Sequence, residues 1–146
     1  ILTAQHCIRH MEYDNIIFYR TYNQYLEQDK GIKSSRIIKQ SPDDDLMLLQ
    51  TEEVANSWAI VSSTLSKRAI AVGHPASILY SWVPSYVISE SENIISTKPG
   101  ISPGMSGGGL WNLDDRTLMG ICVKRTTNGM EAHSVHFNVI KEFLEN

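Results

Sequence analysis

Stretches rich in β-branched and aromatic residues recur along this chain, and polar, turn-forming residues separate them. That is the pattern of an all-β domain. Asn15 to Tyr22 (NIIFYRTY) reads as a strand behind the turn-forming Asp14-Asn15. Ile32 to Gln40, Leu46 to Thr51, Arg68 to Gly73, Trp82 to Ser89, Glu92 to Thr97, Gly107 to Trp111 and Thr117 to Lys124 read as further strands, and Val135 to Asn138 as a short last one. The period changes only at the end. Val139, Ile140, Phe143 and Leu144 stand at i, i+1, i+4 and i+5, which predicts a closing helix over Val139 to Asn146 with one buried stripe. Thr51 to Ser66 keeps no period and is expected to connect two halves.

Composition narrows the class. With 146 residues, 42% hydrophobic and 20% charged, the chain can bury a core and is the size of one domain. Thirteen Lys and Arg against sixteen Asp and Glu leave a net charge of −3 without a block of five or more like charges. A nucleic-acid surface, which needs a concentrated basic footprint, is not expected. No apolar run approaches the roughly 18–20 residues of a membrane-spanning helix. Two cysteines, Cys7 and Cys122, cannot make a disulfide scaffold or a four-thiolate zinc site. The chain opens on Ile1-Leu2-Thr3, with no signal-peptide hydrophobic region.

The strongest chemical signal is Gly104-Met105-Ser106-Gly107-Gly108, between Pro103 and Gly109-Leu110-Trp111. At average usage of about 7% each for Gly and Ser, this preset pattern arises by chance in roughly 0.4% of chains this long. Glycine is costly to order, so several around one serine suggest a loop in which backbone N–H groups converge beside an exposed hydroxyl. A serine nucleophile needs a base, and the base an orienting group. Leu2-Thr3-Ala4-Gln5-His6-Cys7 holds a histidine after a small-residue turn, and Asp45-Leu46-Met47-Leu48-Leu49 an aspartate at the mouth of an apolar strand. Each alone has an ordinary reading: a plain turn, a surface or core histidine, a strand-capping carboxylate. Metal ligation is not expected. His133 and His136, three apart, would face opposite sides of a strand, and His6 and His10 lack the glutamate of H-E-x-x-H.

Taken together, LTAQHC, DLMLL and PGMSGGG, in the order His, Asp, Ser, resemble the three signature blocks of chymotrypsin-fold (trypsin-like) serine proteases. Ile95-Ser96-Thr97 with Gly100-Ile101-Ser102-Pro103-Gly104, Val72-Gly73-His74-Pro75, and Leu118-Met119-Gly120-Ile121 followed by Val135-His136-Phe137-Asn138 resemble the bacterial high-temperature-requirement branch.

The resemblance implies two six-stranded antiparallel β-barrels and a short C-terminal helix in one peptidase domain. Residues 1–51 would be the remnant of the first barrel, 52–66 the connection, 67–138 the second barrel and 139–146 the helix. Members of the family carry two strands and part of a third before the histidine block, so the first barrel is expected to be incomplete and the piece poorly stable alone.

By the same resemblance, His6 is the general base, Asp45 its orienting carboxylate and Ser106 the nucleophile of an acyl-enzyme route, with Gly104 and Ser106 N–H groups as oxyanion hole. Asp43 and Asp44 compete with Asp45, which alone directly precedes the apolar run. Met105 stands where zymogen enzymes carry an aspartate that pairs with a newly cut N-terminus. Gly100, Val123, Lys124, Arg125, Val135 and Phe137 would wall the primary pocket. Gly100 occupies the floor position where a trypsin-like preference needs a carboxylate, so a small or medium aliphatic residue is expected. Lys124, Arg125 and His136 leave an acidic preference open, although Cys122 stands where glutamyl endopeptidases carry a pocket histidine. Cys7 has a disulfide partner upstream of the histidine block in the family and is expected here as a thiol; pairing with Cys122 is left open, since sequence cannot give their separation.

No cofactor is implied, and the expected partner is a polypeptide substrate, with neither nucleic acid nor a membrane. A secreted or periplasmic setting fits the family. Two alternatives share the fold: a catalytically idle peptide-binding protein, and a viral or phage processing protease.

Overall fold

The structure, a computed structural model, describes residues 1–8, 16–19, 23, 26–27, 31–74 and 81–146. The chain divides into two compact units, Ile1–Trp58 and Ala59–Asn146.

The first unit is a four-stranded antiparallel sheet in the order β1-β4-β3-β2, from β1 (Leu2–Ala4), β2 (Ile17–Phe18), β3 (Ile32–Ser41) and β4 (Leu46–Thr51). It forms half a barrel. Met47 and Leu49 of β4 pack with Ile8, and half-buried Cys7, Ile16 and Phe18 close around them. Two differences from the sequence reading stand out here. Leu2–Ala4 is a strand rather than a turn, because it pairs with β4 in the register Leu2↔Leu48, Thr3↔Met47 and Ala4↔Leu46. Of the strand expected over Asn15 to Tyr22, only Ile17–Phe18 pairs; Asn15 and residues 20–22 lie outside the described residues.

The second unit closes completely. β5 (Arg68–Gly73), β6 (Ser81–Glu90), β7 (Ile94–Lys98), β8 (Gly109–Asn112), β9 (Leu118–Arg125) and β10 (Ala132–His136) form a six-stranded barrel in the order β10-β7-β6-β5-β8-β9. Closure removes free sheet edges and buries one face of every strand. Its core gathers Ala69, Ala71, Ile95, Ile101, Met105, Leu110, Met119, Cys122, Ala132 and Phe137. The small alanines of β5 make room for the larger side chains of the facing strands.

The helix α1 (Phe137–Glu145) begins two residues earlier than its periodicity predicts. The reason is a cap. Buried His136 is extended, and its Nδ1 accepts from the Asn138 N–H at 3.1 Å, which satisfies a first-turn donor. An acceptor Nδ1 puts the ring proton on Nε2, which donates to Glu90 Oε2 at 2.9 Å. The expected strand Val135 to Asn138 therefore ends at His136, and β10 extends back to Ala132 instead. The buried stripe of α1 is Phe137, Val139, Ile140 and Phe143; Leu144 is 41% exposed. No described helix is long and apolar enough to cross a membrane.

Candidate active site

In the first unit, the pairing of β1 with β4 positions His6 and Asp45. Beyond the pair Ala4↔Leu46, Gln5 N–H donates to Asp45 O at 3.0 Å, and the chain turns through a single 3-10 turn, Gln5–Cys7. That turn places His6 over Asp45 twice. The His6 backbone N–H donates to Asp45 Oδ1 at 2.8 Å, and its ring Nδ1 meets Oδ2 at 2.5 Å. A carboxylate only accepts, so Nδ1 carries the proton and Nε2 of the neutral ring is left as an acceptor. The pair is partly open to solvent.

Asp45 holds this position from a left-handed backbone, φ 56°, at the end of the 42–45 turn, where its N–H donates to Pro42 O at 3.3 Å. That conformation costs a non-glycine residue roughly 1–2 kcal/mol, less for Asp, whereas each hydrogen bond to a charged group contributes about 1.5–3 kcal/mol. The two bonds to His6 outweigh the strain. Asp43 is exposed, and Asp44 accepts from Ser41 Oγ at 2.7 Å within the same turn.

Cys7 follows His6, and its Sγ lies 3.7 Å from His6 Nε2. Burial, and after it the charge of Asp45, raises the thiol's pKa. Cys7 and Cys122 are both thiols, and buried Cys122 is pushed up to about 11 by desolvation. Among the described residues no three His, Cys, Asp or Glu side chains cluster as metal ligands; His10 lies outside them.

In the second unit, residues 101–108 form the loop into β8. Met105 is its anchor, 1% exposed in the barrel core. On either side, Gly104 and Gly107 take φ of 97° and 86°, where a side chain would be strained. Gly108 serves differently: a Cβ there would stand 2.1 Å from Val72 O, so the loop lies directly against the end of β5. On the other flank it docks on β9, with Gly107 N–H donating to Cys122 O at 2.7 Å and Cys122 N–H to Gly108 O at 2.9 Å. Held at three points, the loop presents half-buried Ser106, whose Oγ donates to Val123 O at 3.1 Å.

That acceptor is the feature sequence reasoning missed. Cys122 pairs with Ser134 and Lys124 with His133, so Val123 is the extra residue of a β-bulge. A bulge re-aims backbone groups, and nothing in VKR marks one, because it arises from the pairing with β10.

The expected pocket residues separate into two sets. Gly100 packs against the 126–131 hairpin, where a Cβ would meet Gly129 O at 2.1 Å, so this position has no room for a side chain. Val123 is at the edge of burial and Lys124 and Arg125 are exposed, all three following the loop's docking point on β9. Val135 and Phe137 are buried, Phe137 within the core. His136 is also buried, with both ring nitrogens engaged by Glu90 and the helix cap.

No curated protein matches the sequence. Among solved structures, the chain is similar to the Rv3671c protease of M. tuberculosis in its active form, with a TM-score of 0.83 and 13% identity over 99% of this chain and 67% of that one. It is also similar to the serine endoprotease of Yersinia pestis, with a TM-score of 0.80 and 18% identity over 99% of this chain, which spans 52% of that chain's length. At these identities the likeness carries the fold. The trypsin-like peptidase domain family matches residues 1–121, which hold all three motif blocks, and the chain belongs to that family.

Proposed function

We propose that this chain is a serine endopeptidase, with Ser106 as nucleophile, His6 as general base and then acid, and Asp45 as the carboxylate that orients the imidazole. The observation that carries the reading is the His6–Asp45 pair, which fixes the tautomer in which Nε2 accepts a proton. Such a base is what a serine hydroxyl requires. Ser106 attacks the substrate carbonyl, and Nε2 takes its proton. The N–H groups of Gly104 and Ser106 receive the developing oxyanion, the amine leaves with the proton from Nε2, and water releases the acyl group by the reverse relay. A small or medium aliphatic residue at the cleaved position suits the family likeness, since Gly100 brings no carboxylate to pair with a basic one.

A fluorophosphonate probe tests this. Mass-spectrometric labelling at Ser106, lost in Ser106→Ala together with peptide cleavage, is the expected result. A folded protein whose Ser106 stays unlabelled overturns the reading and leaves an idle peptide-binding protein.

A further inference from the structure

We propose that the outer face of the second barrel around β6 is a contact surface for a second copy of this chain, seated by a two-fold axis that crosses β6 at Pro84. On β6, Val83 and Val87 pack inward on the core, as do Ala69 and Ala71 of β5. Alternation therefore turns Trp82, Pro84 and Tyr86 outward, beside Ile70 and Val72 of β5. Trp82 is 65% exposed and Tyr86 54%. Register sorts the face into rows: Lys98, Tyr86 and Arg68 stand in one, Pro84 and Ile70 in the next, Trp82 and Val72 in the third. Trp111 of β8 continues the middle row from Ile70. Its indole lies along the strand over Gly109, where a Cβ would stand 2.7 Å from Nε1. The result is an apolar, aromatic surface on the outside of a barrel whose interior is already filled.

The occupant follows from what this face offers and lacks. The barrel is closed, and β5 and β7 flank β6 on both sides, so an extended peptide finds no sheet edge there and the contact must be side chain on side chain. The chain's net charge is −3, and of the two cations in the face Arg68 is held by Asp114, which leaves little pull toward an anionic bilayer. A second copy of the same face does fit. Both cations lie in one row, on either side of Tyr86. A two-fold axis running along β6 would set Arg68 of each copy against Lys98 of the other, a like-charge clash. An axis across β6 at Pro84 reverses the strands instead and lays the cationic row of one copy over the Trp82 row of the other. Lys98, which joins no ion pair among the described residues, then meets an exposed indole in a cation–π contact. The face exposes on the order of 500 Å² of side chain, so two copies would bury about 1,000 Å² between them, the size of a weak, reversible interface.

Sedimentation equilibrium of the full chain over about 1–500 µM tests the inference, because contacts of this size dissociate at micromolar concentrations or above. A monomer–dimer equilibrium is expected. Its dissociation constant should rise at least tenfold in Trp82→Ser/Tyr86→Ser, read on protein whose circular dichroism matches the parent's. Cross-linking locates the axis in a Cys7→Ser background. A short bis-maleimide should join two copies of Pro84→Cys, where the axis brings the same residue together, and should leave Leu144→Cys, exposed on α1, as a monomer. A monomer at every concentration overturns the inference and leaves the face to a different partner. A dimer that the double variant keeps overturns it as well, as does equal cross-linking at the two positions. None of these readouts needs turnover, so the outcome is independent of whether Ser106 labels.

Discussion

Asp45 grips His6 by both of its oxygens, one on the backbone N–H at 2.8 Å and one on the ring Nδ1 at 2.5 Å. The first bond fixes where the residue sits and the second fixes which way its ring proton points.

An amide at position 45 separates these roles. In Asp45→Asn the Oδ1 bond to the backbone can persist, but an NH₂ group facing Nδ1 forces the proton to Nε2. Peptide cleavage should fall by about 10⁴, and the melting temperature should fall as well, since both bonds lose the carboxylate's charge. Asp43→Asn, at an exposed position, should leave the rate near that of the parent. Equal losses in both would move the carboxylate role off Asp45.

The two thiols should react in a fixed order. With Cys122 raised to about 11, on the order of one molecule in 10³ carries a thiolate at pH 8, and the group is buried. Cys7 is raised as well but only half buried. Iodoacetamide on the native protein, read by peptide mass spectrometry, should modify Cys7 first and Cys122 only after unfolding. The reverse order would mean that the barrel opens readily at β9.

Acid should act on the barrel through Asp114. Ser66 Oγ, and after it Arg68, hold this carboxyl below the usual carboxylate range. A carboxyl depressed in the folded state stabilises it above the unfolded value, and that contribution disappears as pH falls through the folded one. Melting temperature should therefore drop below about pH 4, and Asp114→Asn should remove part of that drop. Identical acid limbs in the two proteins would count against it.

His136 should matter for stability. His136→Ala removes a helix cap and a buried partner of Glu90, a loss of about 1–2 kcal/mol for the cap alone. His136→Asn, which can cap, should recover part of it. Thermal melts of the three proteins decide the matter.

Much of this was legible from the chain. β4 and β5 appear where the sequence places them, because their patterns are local: β5 alternates buried and more open positions, and β4 is a short apolar run. The three motif blocks were readable because glycine and polar residues are tolerated there only for a backbone or chemical reason. What escaped depends on pairing. Leu2–Ala4 is a strand only beside β4, Val123 is a bulge only against β10, and Phe137 joins the helix only because His136 caps it. Leu144 stands seven residues after Phe137, on the same face, yet is 41% exposed in the last turn of α1.

Met105 ties two properties that many enzymes keep apart. Its side chain is a member of the hydrophobic interior and, at the same time, the neighbour that aims Ser106. The 101–108 loop therefore has no independent life: warming that loosens the interior dismantles the loop in the same step. Heat-inactivation and unfolding curves should coincide, and a substitution that shrinks Met105 should shift both together.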